Sequence, residues 1–169
     1  MSETKTPVDF SVEETKELAA RIGFAWRDIR RGTTNNAVRE LIFEGPDFSI
    51  EPGQYDTLEM IVLHESIRMG DLADALRVDP STATRAVQRL IKDGYAERVS
   101  HDGDGRVVFV GPTETGRHVY TRVIERRRVV LMAIMGKFEP EERVLLAEML
   151  QKFSVTLDET VTELANSQK

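Results

Sequence analysis

The sequence predicts a mainly α protein with a small β-wing, built on a winged helix-turn-helix core that is flanked by N- and C-terminal dimerisation helices. Three neighbouring features carry this prediction: a short helix followed by a three-residue turn, a second helix with one wholly polar face, and two short strands separated by a glycine-rich tip. Helix, turn and polar-faced helix is the helix-turn-helix arrangement. We therefore divide the chain into N-terminal helices (11–43), a winged helix-turn-helix (53–112) and C-terminal helices (113–165).

The N-terminal segment predicts an amphipathic helix between Ser11 and Arg31. Its apolar residues repeat at helical spacing: Leu18, Ile22, Ala25, Trp26 and Ile29. The segment from Glu44 to Gly53 follows, and its two prolines and two glycines indicate a loop or hinge before the core.

The helix-turn-helix is predicted between Leu72 and Gly94. Leu72, Ala73 and Leu76 form the apolar stripe of its first helix, and small Ala73 suits a close crossing of the two helices. The turn follows at residues 77–79. Asp79 is a good N-cap for the second helix, Pro80 suits its first position, and Gly94 favours its end.

On a helical wheel, the second helix has two arcs that do not overlap. The apolar arc contains Ala83, Ala86, Val87, Leu90 and Ile91. The polar arc contains Ser81, Thr82, Thr84, Arg85, Gln88, Arg89 and Lys92. A polar arc is often only a solvated face, but this one holds no acid before Asp93, and the elements around it suit DNA binding. Short hydroxyl side chains let the backbone approach phosphates, and arginine contacts guanine edges or phosphates.

Two strands are predicted after this helix, at residues 95–99 and 107–110. Gly103 and Gly105 permit the positive φ angles of a tight hairpin between them. We expect Arg106 at the hairpin tip to reach the minor groove, where a narrow A·T tract would attract it. Asp104 is expected to orient Arg106 by an ion pair.

The distribution of charge agrees with a DNA-binding segment in the middle of the chain. The formal net charge is −6 at pH 7, but residues 80–128 hold 10 basic and 6 acidic side chains. The remainder is acidic, with a net charge of −7 in residues 1–79 and −3 in residues 137–169. Positive charge is therefore concentrated where phosphate contacts are expected.

The ordered motifs of the core resemble the MarR family of bacterial transcription regulators. They are GDLADALRVDPSTATRAVQRLIKDGYAERV, then DGDGR, then PTETGR. The positions that match the family pattern are Leu72, Ala73, Leu76, Val78, Asp79, Ser81, Thr82, Thr84, Arg85, Leu90, Gly94, Tyr95, Arg98, Asp104, Arg106, Thr113 and Gly116. The resemblance extends over residues 11–163. The chain departs from the pattern at Gly105, where arginine is common, at Pro112, where leucine is usual, and at Arg68, where a hydroxyl cap is common.

The C-terminal segment predicts two long helices, one beginning at Thr113 and one opened by Glu139 and Pro140. Their apolar residues are Val119, Val123, Ile124, Leu131, Ile134 and Met135, and then Leu146, Met149, Leu150, Phe153, Leu157, Val161 and Leu164. A small winged-helix core cannot cover all these stripes, so pairing with a second copy is expected, and the resemblance implies an intertwined homodimer. A monomeric helical bundle is the alternative. Two recognition helices about 34 Å apart would match the half-sites of a palindromic operator.

The resemblance also implies a crevice for a small aromatic or phenolic acid, where the dimer helices meet the DNA-binding domain. The predicted ligand-binding residues are Trp26, Arg30, Tyr55, Met60 and His64, with Phe43 and Met132 as further candidates. Tyr55 and His64 are preferred because a polar group beside apolar walls suits such a ligand. The alternative is that these aromatic and methionine side chains are core and that Arg30 is a solvated charge.

The predicted function is a cytoplasmic, homodimeric repressor that a small effector releases from DNA, with no cofactor. Activation cannot be distinguished from repression, because the position of the operator decides it. A winged-helix protein-interaction module without sequence-specific DNA binding is the alternative. The chain has no cysteine, which excludes disulfides and thiol-based sensing, and its three histidines lack metal-ligand spacing. We predict no enzyme, because the sequence has no GxSxG, P-loop or apolar carboxylate pair, and no membrane span or signal peptide.

Overall fold

The computed structural model describes residues 8–99 and 108–167. The helices are α1 (Glu13–Arg31), α2 (Thr33–Phe43), α3 (Pro52–His64), α4 (Met69–Leu76), α5 (Pro80–Lys92), α6 (Glu114–Met135) and α7 (Pro140–Ser167). The strands are β1 (Ile67–Arg68), β2 (Ala96–Val99) and β3 (Phe109–Pro112). The chain divides into two compact units, Met1–Ile124 and Glu125–Lys169. The predicted class, mainly α with a small β-wing, is confirmed.

The first unit is organised around α3, which packs against both helices of the helix-turn-helix. Its largest fully buried side chains come from all parts of the motif: Tyr55, Leu58, Ile61, Leu72, Leu90, Val110, Val119 and Val123. The apolar arc predicted for the second helix faces this core, since Ala83, Val87 and Leu90 of α5 are buried. Ala73 of α4 is also buried, as expected for a close helix crossing.

A three-stranded antiparallel sheet of order β1-β3-β2 forms the base of the wing. Val110 of β3 pairs with Ile67 of β1 on one side and with Arg98 of β2 on the other. The sequence predicted only two strands, because the two residues of β1 carry no periodic signal of their own. The second predicted strand lies two residues further along the chain than expected. This strand ends at Pro112, which pairs with Ala96 of β2. Because β1 pairs only with Phe109 and Val110, the missing N–H of Pro112 costs no hydrogen bond to β1.

The first helix ends at Arg31 as predicted, and the prediction of the loop that follows α2 is refined. Gly32 has an extended backbone and separates α1 from α2, so the helical segment is broken after Arg31. The predicted loop is present, but Phe48 and Ile50 within it are buried in the core. The Ile50 N–H also donates to the Phe43 carbonyl oxygen at 3.1 Å, which fastens the loop to the end of α2.

The second unit contains the end of α6, a short turn and α7. Glu139 and Pro140 open α7 as predicted, and the Glu142 carboxylate accepts a hydrogen bond from the Glu139 N–H at 2.8 Å. The Arg143 Nε donates to the carbonyl oxygens of Met135 and Phe138, both at 2.9 Å. The first bond is to the last residue of α6 and places a cation at the negative end of that helix, and the second is to the turn before α7.

The apolar stripes of the terminal helices are exposed. Neither α1 nor α7 has a buried residue. The exposed apolar side chains of α1 and α7 are Leu18, Ile22, Phe24, Trp26, Ile29, Val144, Leu145, Met149, Leu150, Phe153, Val155, Leu157, Val161 and Leu164. Large exposed apolar surface on a helix is typical of interaction sites.

None of the described helices is long and apolar enough to cross a membrane. Likewise, over residues 8–99 and 108–167, no group of three His, Cys, Asp or Glu side chains is arranged to hold a metal ion.

Candidate nucleic-acid interface

The helix-turn-helix turn is built on a left-handed residue. Arg77 has a φ of 54°, and its N–H donates to the Asp74 carbonyl oxygen at 3.0 Å, while the Val78 N–H donates to the Ala73 carbonyl oxygen at 3.1 Å. This pair of bonds ends α4 and redirects the chain within three residues. The turn therefore sets where α5 begins relative to α4.

Asp79 caps α5 with an unusually complete set of hydrogen bonds. Its carboxylate accepts from the Thr82 N–H at 2.9 Å, from the Ser81 hydroxyl at 2.5 Å and from the Thr82 hydroxyl at 2.6 Å. The hydrogen bonds from Ser81 and Thr82 hold the pKa of the Asp79 carboxyl well below its usual range. The predicted N-cap is confirmed, and Pro80 occupies the first helical position.

The far end of α5 is fixed against two other elements. Gly94 has a φ of 77°, as the predicted glycine stop requires. The Asp93 carboxylate accepts from the Gln54 Nε2 at 2.9 Å, which joins the end of α5 to the start of α3. The Thr113 hydroxyl donates to the Gly94 carbonyl oxygen at 2.6 Å and accepts from the Gly116 N–H at 3.0 Å. These contacts join the C-terminal end of α5 to α3 and to the start of α6.

The polar face of α5 points to solvent. Ser81, Thr84, Arg85, Gln88 and Arg89 are exposed, and Thr82 is half-buried. Thr84 donates its hydroxyl to the Pro80 carbonyl oxygen at 2.7 Å, and the Arg85 Nη2 donates to the Thr82 hydroxyl oxygen at 3.4 Å. The structure therefore brings the six predicted α5 residues onto one exposed surface, which we call the reading face.

Two hollows flank the reading face. On one side, Thr82, Arg85 and Arg89 line a groove of about 520 Å³ that α3 closes with Gly53 and Gln54. On the other side, a smaller apolar hollow of about 170 Å³ lies between α5 and the sheet. The reading face is therefore bordered by an open hollow on each side.

The stem of the wing is in place beside the reading face. The Glu97–Arg98 dipeptide of β2 is exposed, and β2 and β3 pair from Ala96 with Pro112 to Val99 with Phe109. The two predicted wing-tip residues, Asp104 and Arg106, lie outside the described residues. Their contact with each other and with DNA stays a prediction.

The predicted ligand-binding residues lie on two helices. Trp26 and Arg30 are exposed on α1, one turn apart. Tyr55 is fully buried on α3, where its ring stacks on Tyr120 at 6.0 Å between centroids and its hydroxyl donates to Glu59 at 3.4 Å. Met60 is half-buried against the core, and its carbonyl oxygen accepts from the exposed His64 Nδ1 at 2.8 Å.

A polar cavity was not predicted from the sequence. It has a volume of about 160 Å³ and lies between α2 and the loop before α3, lined by Asn36, Arg39, Glu40, Ser49 and Glu51 among others. An ion pair between Arg39 Nη2 and Glu51 Oε2, 3.2 Å apart, crosses this region. Phe43, one of the two further ligand candidates, lines this cavity, but none of the five predicted ligand-binding residues does. The sequence signal was weak, because these side chains come from two segments that only the fold brings together.

Comparison with known proteins agrees with this architecture. Residues 48–107 match the sequence model of the MarR family. The chain is 26% identical over 97 residues to the HTH-type transcriptional regulator YwhA of Bacillus subtilis, covering 57% of this chain and 70% of that protein. It is 26% identical over 122 residues to the HTH-type transcriptional regulator Mb0904 of Mycobacterium bovis, covering 72% and 85%.

Solved structures show the same fold. A MarR family protein from Bacillus stearothermophilus superposes with a TM-score of 0.66 at 25% identity, covering 85% of this chain and 97% of that one. FabT of Streptococcus pneumoniae, solved in complex with DNA, superposes with a TM-score of 0.71 at 21% identity, covering 83% and 98%. Residues 48–107 therefore carry the sequence pattern of the MarR family, and the described residues have the fold of MarR family winged helix-turn-helix proteins.

Proposed function

We propose that the chain is a DNA-binding repressor that acts as a homodimer on a palindromic operator. The observation that carries this proposal is the reading face of α5: an exposed helical surface with two arginines, three hydroxyls and an amide, and with no acidic side chain between Pro80 and Lys92. Ser81, Thr82, Thr84, Arg85, Gln88 and Arg89 would enter the major groove. A helix in that groove meets a distinct pattern of donors and acceptors at each base pair.

The wing would add backbone contacts beside the major groove. β2 begins close to the end of α5, β3 returns antiparallel to it, and Arg106 lies in the sequence that joins the two strands. Arg106 would enter the minor groove, and Asp104 would orient it. Gly105, which replaces a common arginine of the family pattern, removes one further basic side chain from this contact. We therefore assign most sequence preference to the reading face and a smaller share of affinity to the wing.

The homodimer is supported by the uncovered apolar stripes of α1 and α7. Burying one exposed Leu, Ile or Phe side chain contributes about 1.5–3 kcal/mol, so even half of these side chains would provide a strong driving force for association. A second copy is the partner that the family resemblance implies. With two copies, the recognition helices would meet half-sites one helical turn apart, about 34 Å.

Release from DNA would follow the binding of a small aromatic or phenolic acid. Such a ligand shifts the protein toward a form with a different recognition-helix spacing only by as much as it binds that form better. Trp26, Arg30 and His64 have exposed side chains that a ligand could contact directly. Tyr55 and Met60 belong to the packed core and would take part only if the region around α3 rearranged.

A mobility-shift assay over a range of salt concentrations tests the DNA-binding proposal. The logarithm of the binding constant should fall with the logarithm of salt concentration with a slope of about −0.9 per phosphate contacted. The double variant Arg85→Ala with Arg89→Ala should weaken binding strongly. Arg31→Ala, which removes an exposed arginine at the end of α1, should leave binding nearly unchanged.

The same assay distinguishes the alternative function. A protein-interaction module would give negligible DNA affinity at every salt concentration, and the arginine substitutions would then have nothing to change. DNA binding of equal strength by the Arg85→Ala, Arg89→Ala double variant and by the Arg31→Ala control would show that DNA is contacted elsewhere.

A further inference from the structure

We propose that the Asp79 carboxylate fixes the direction of the hydroxyl hydrogen bonds in the first turn of α5. The hydroxyl oxygens there then accept hydrogen bonds from donor groups on base edges, and these hydroxyls do not bind phosphates. This inference rests on the proposed DNA-binding function. It adds a specificity-determining residue that does not itself lie on the reading face, and it reassigns the role of the hydroxyls there.

All three hydroxyls of the reading face donate their protons inward. Ser81 and Thr82 donate to the two Asp79 oxygens at 2.5 and 2.6 Å, and Thr84 donates to the Pro80 carbonyl oxygen at 2.7 Å. These directions are dictated by the partners, because an ionised carboxylate and a backbone carbonyl can only accept. Asp79 also accepts from the Thr82 N–H, so the carboxylate is held in this position by the helix itself.

Toward solvent, the three hydroxyls can therefore act only as hydrogen-bond acceptors. A phosphate oxygen also only accepts, so it cannot bond to Ser81 or Thr82 unless the bond to Asp79 is broken. The negative charge of Asp79 would repel a phosphate at the same place. In the major groove, the matching donors are the adenine N6 and cytosine N4 amino groups.

The arginines of the same face have the opposite polarity. Arg85 and Arg89 can only donate, and guanine N7 and O6 are the acceptors that arginine most often contacts. Arg85 lies over the first turn, because its Nη2 donates to the Thr82 hydroxyl oxygen that itself donates to Asp79. The reading face thus carries hydroxyl acceptors at the N-terminal turn of α5, with the donor Arg85 directly beside them and the donor Arg89 further along the helix. We expect each half-site to place an adenine or cytosine amino group under the first turn and a guanine next to it.

The test compares the full-length protein with three variants after selection of bound DNA from a random pool. Asp79→Asn keeps a good N-cap residue, but its amide nitrogen donates, so one hydroxyl must accept from it and turn its proton outward. Ser81→Ala removes one outward acceptor and keeps the Asp79 charge. Asp74→Asn is the matched control, since it removes one exposed carboxylate from the neighbouring helix α4 and touches no hydroxyl of the reading face.

The readout is the loss of affinity when the selected DNA loses one amino group, by replacing adenine with purine or cytosine with pyrimidin-2-one. At one position in each half-site, this change should weaken DNA binding by the wild type and by Asp74→Asn by at least about fivefold. That factor corresponds to the lower end of the energies found for base contacts. If Thr82 binds the deleted amino group, the same change should weaken DNA binding by Asp79→Asn by less than about twofold, because the introduced amide would donate to Thr82. If Ser81 binds it, the change should weaken DNA binding by Ser81→Ala by less than about twofold. Circular dichroism shows whether each variant is folded, and a Thr82→Val variant replaces Asp79→Asn if the latter is not.

The outcomes separate this inference from the function on which it depends. If the wild type selects no DNA sequence, the proposed function itself fails. If it selects a site and all variants respond equally to every amino-group deletion, the inference is overturned and the DNA-binding function stands. Equal weakening of all sequences by Ser81→Ala would also overturn it, because that result indicates a phosphate contact.

Discussion

Substituting Gly116 by alanine should destabilise the protein, although alanine is the better helix former. Gly116 lies in the first turn of α6, directly against the residue that follows α5 and Gly94. A Cβ atom on Gly116 would lie 1.9 Å from the Tyr95 carbonyl oxygen, 2.9 Å from the Tyr95 carbonyl carbon and 3.3 Å from Leu58 Cδ1. A carbon and a carbonyl oxygen approach to about 3.3 Å at closest, so α6 or the Tyr95 turn must move by about 1.4 Å.

That movement would strain two hydrogen bonds that hold α6 on the turn. The Thr113 hydroxyl donates to the Gly94 carbonyl oxygen at 2.6 Å, and the Thr113 N–H donates to the Tyr95 carbonyl oxygen at 3.2 Å. Losing each bond costs about 1 kcal/mol, and forcing an extra carbon into a packed site costs about 1–3 kcal/mol. Alanine recovers about 0.5–1 kcal/mol through its helix propensity. The net loss in the free energy of unfolding should be about 2–4 kcal/mol.

Equilibrium unfolding in urea measures this loss, at one fixed protein concentration because association also affects apparent stability. Gly70→Ala is the matched control. Gly70 also lies in the first turn of a helix, but a Cβ atom there would meet nothing within 4 Å. The control should raise the unfolding free energy by about 0.5–1 kcal/mol, because it gains the same helix propensity and meets no neighbour. A Gly116→Ala protein as stable as the control would show that the close approach of α6 to Tyr95 is not a packing constraint.

Three further predictions concern DNA binding and assembly. Arg85→Ala should cost about 1–3 kcal/mol of binding free energy and relax base preference at one position; selection from random DNA that returns the same site with undiminished preference would remove its base-reading role. Arg106→Ala should weaken binding in a mobility-shift titration with little change in major-groove preference, and unchanged affinity would remove the wing from the account. Leu150→Asp places a charge in the exposed stripe of α7 and should give monomers in sedimentation equilibrium, whereas Gln151→Asp, outside that stripe, should not; a dimer of unchanged stability in both variants would place the interface elsewhere.

The parts of the fold that were predictable carry local signals. Asp79, Pro80 and Gly94 mark the two ends of α5, and the structure begins and ends the helix there. The end of α1 at Arg31 matches the predicted end of the first helix, whereas the strand β1 had no comparable signal. A two-residue strand exists only because β3 offers it a partner, and pairing between distant segments is not visible in a short stretch of sequence. The burial of Phe48 and Ile50 likewise depends on the core that the loop meets.

The sequence was sufficient to predict which side chains form the reading face, but not the direction of their hydrogen bonds. Helical spacing was sufficient to gather the six side chains on one face. It could not show that Ser81 and Thr82 donate inward, since that depends on where the Asp79 carboxylate lies relative to both hydroxyls. For Tyr55, the residue type suggested a ligand contact, but the surroundings of the side chain could not be read from the sequence. An aromatic residue with a polar group suits a ligand pocket, but its ring is buried against Tyr120 and its hydroxyl has a partner one turn away.

The central claim is that the exposed face of α5 reads DNA as one half of a symmetric pair. Selection of bound sequences from a random DNA pool by the wild-type protein tests it most directly. The account predicts enrichment of a two-fold symmetric sequence with half-sites about 10 bp apart, together with loss of its strongest base preference in Arg85→Ala. Recovery of DNA without an enriched sequence would contradict the claim. A site whose base preferences are the same for the wild type and for Arg85→Ala would also contradict it.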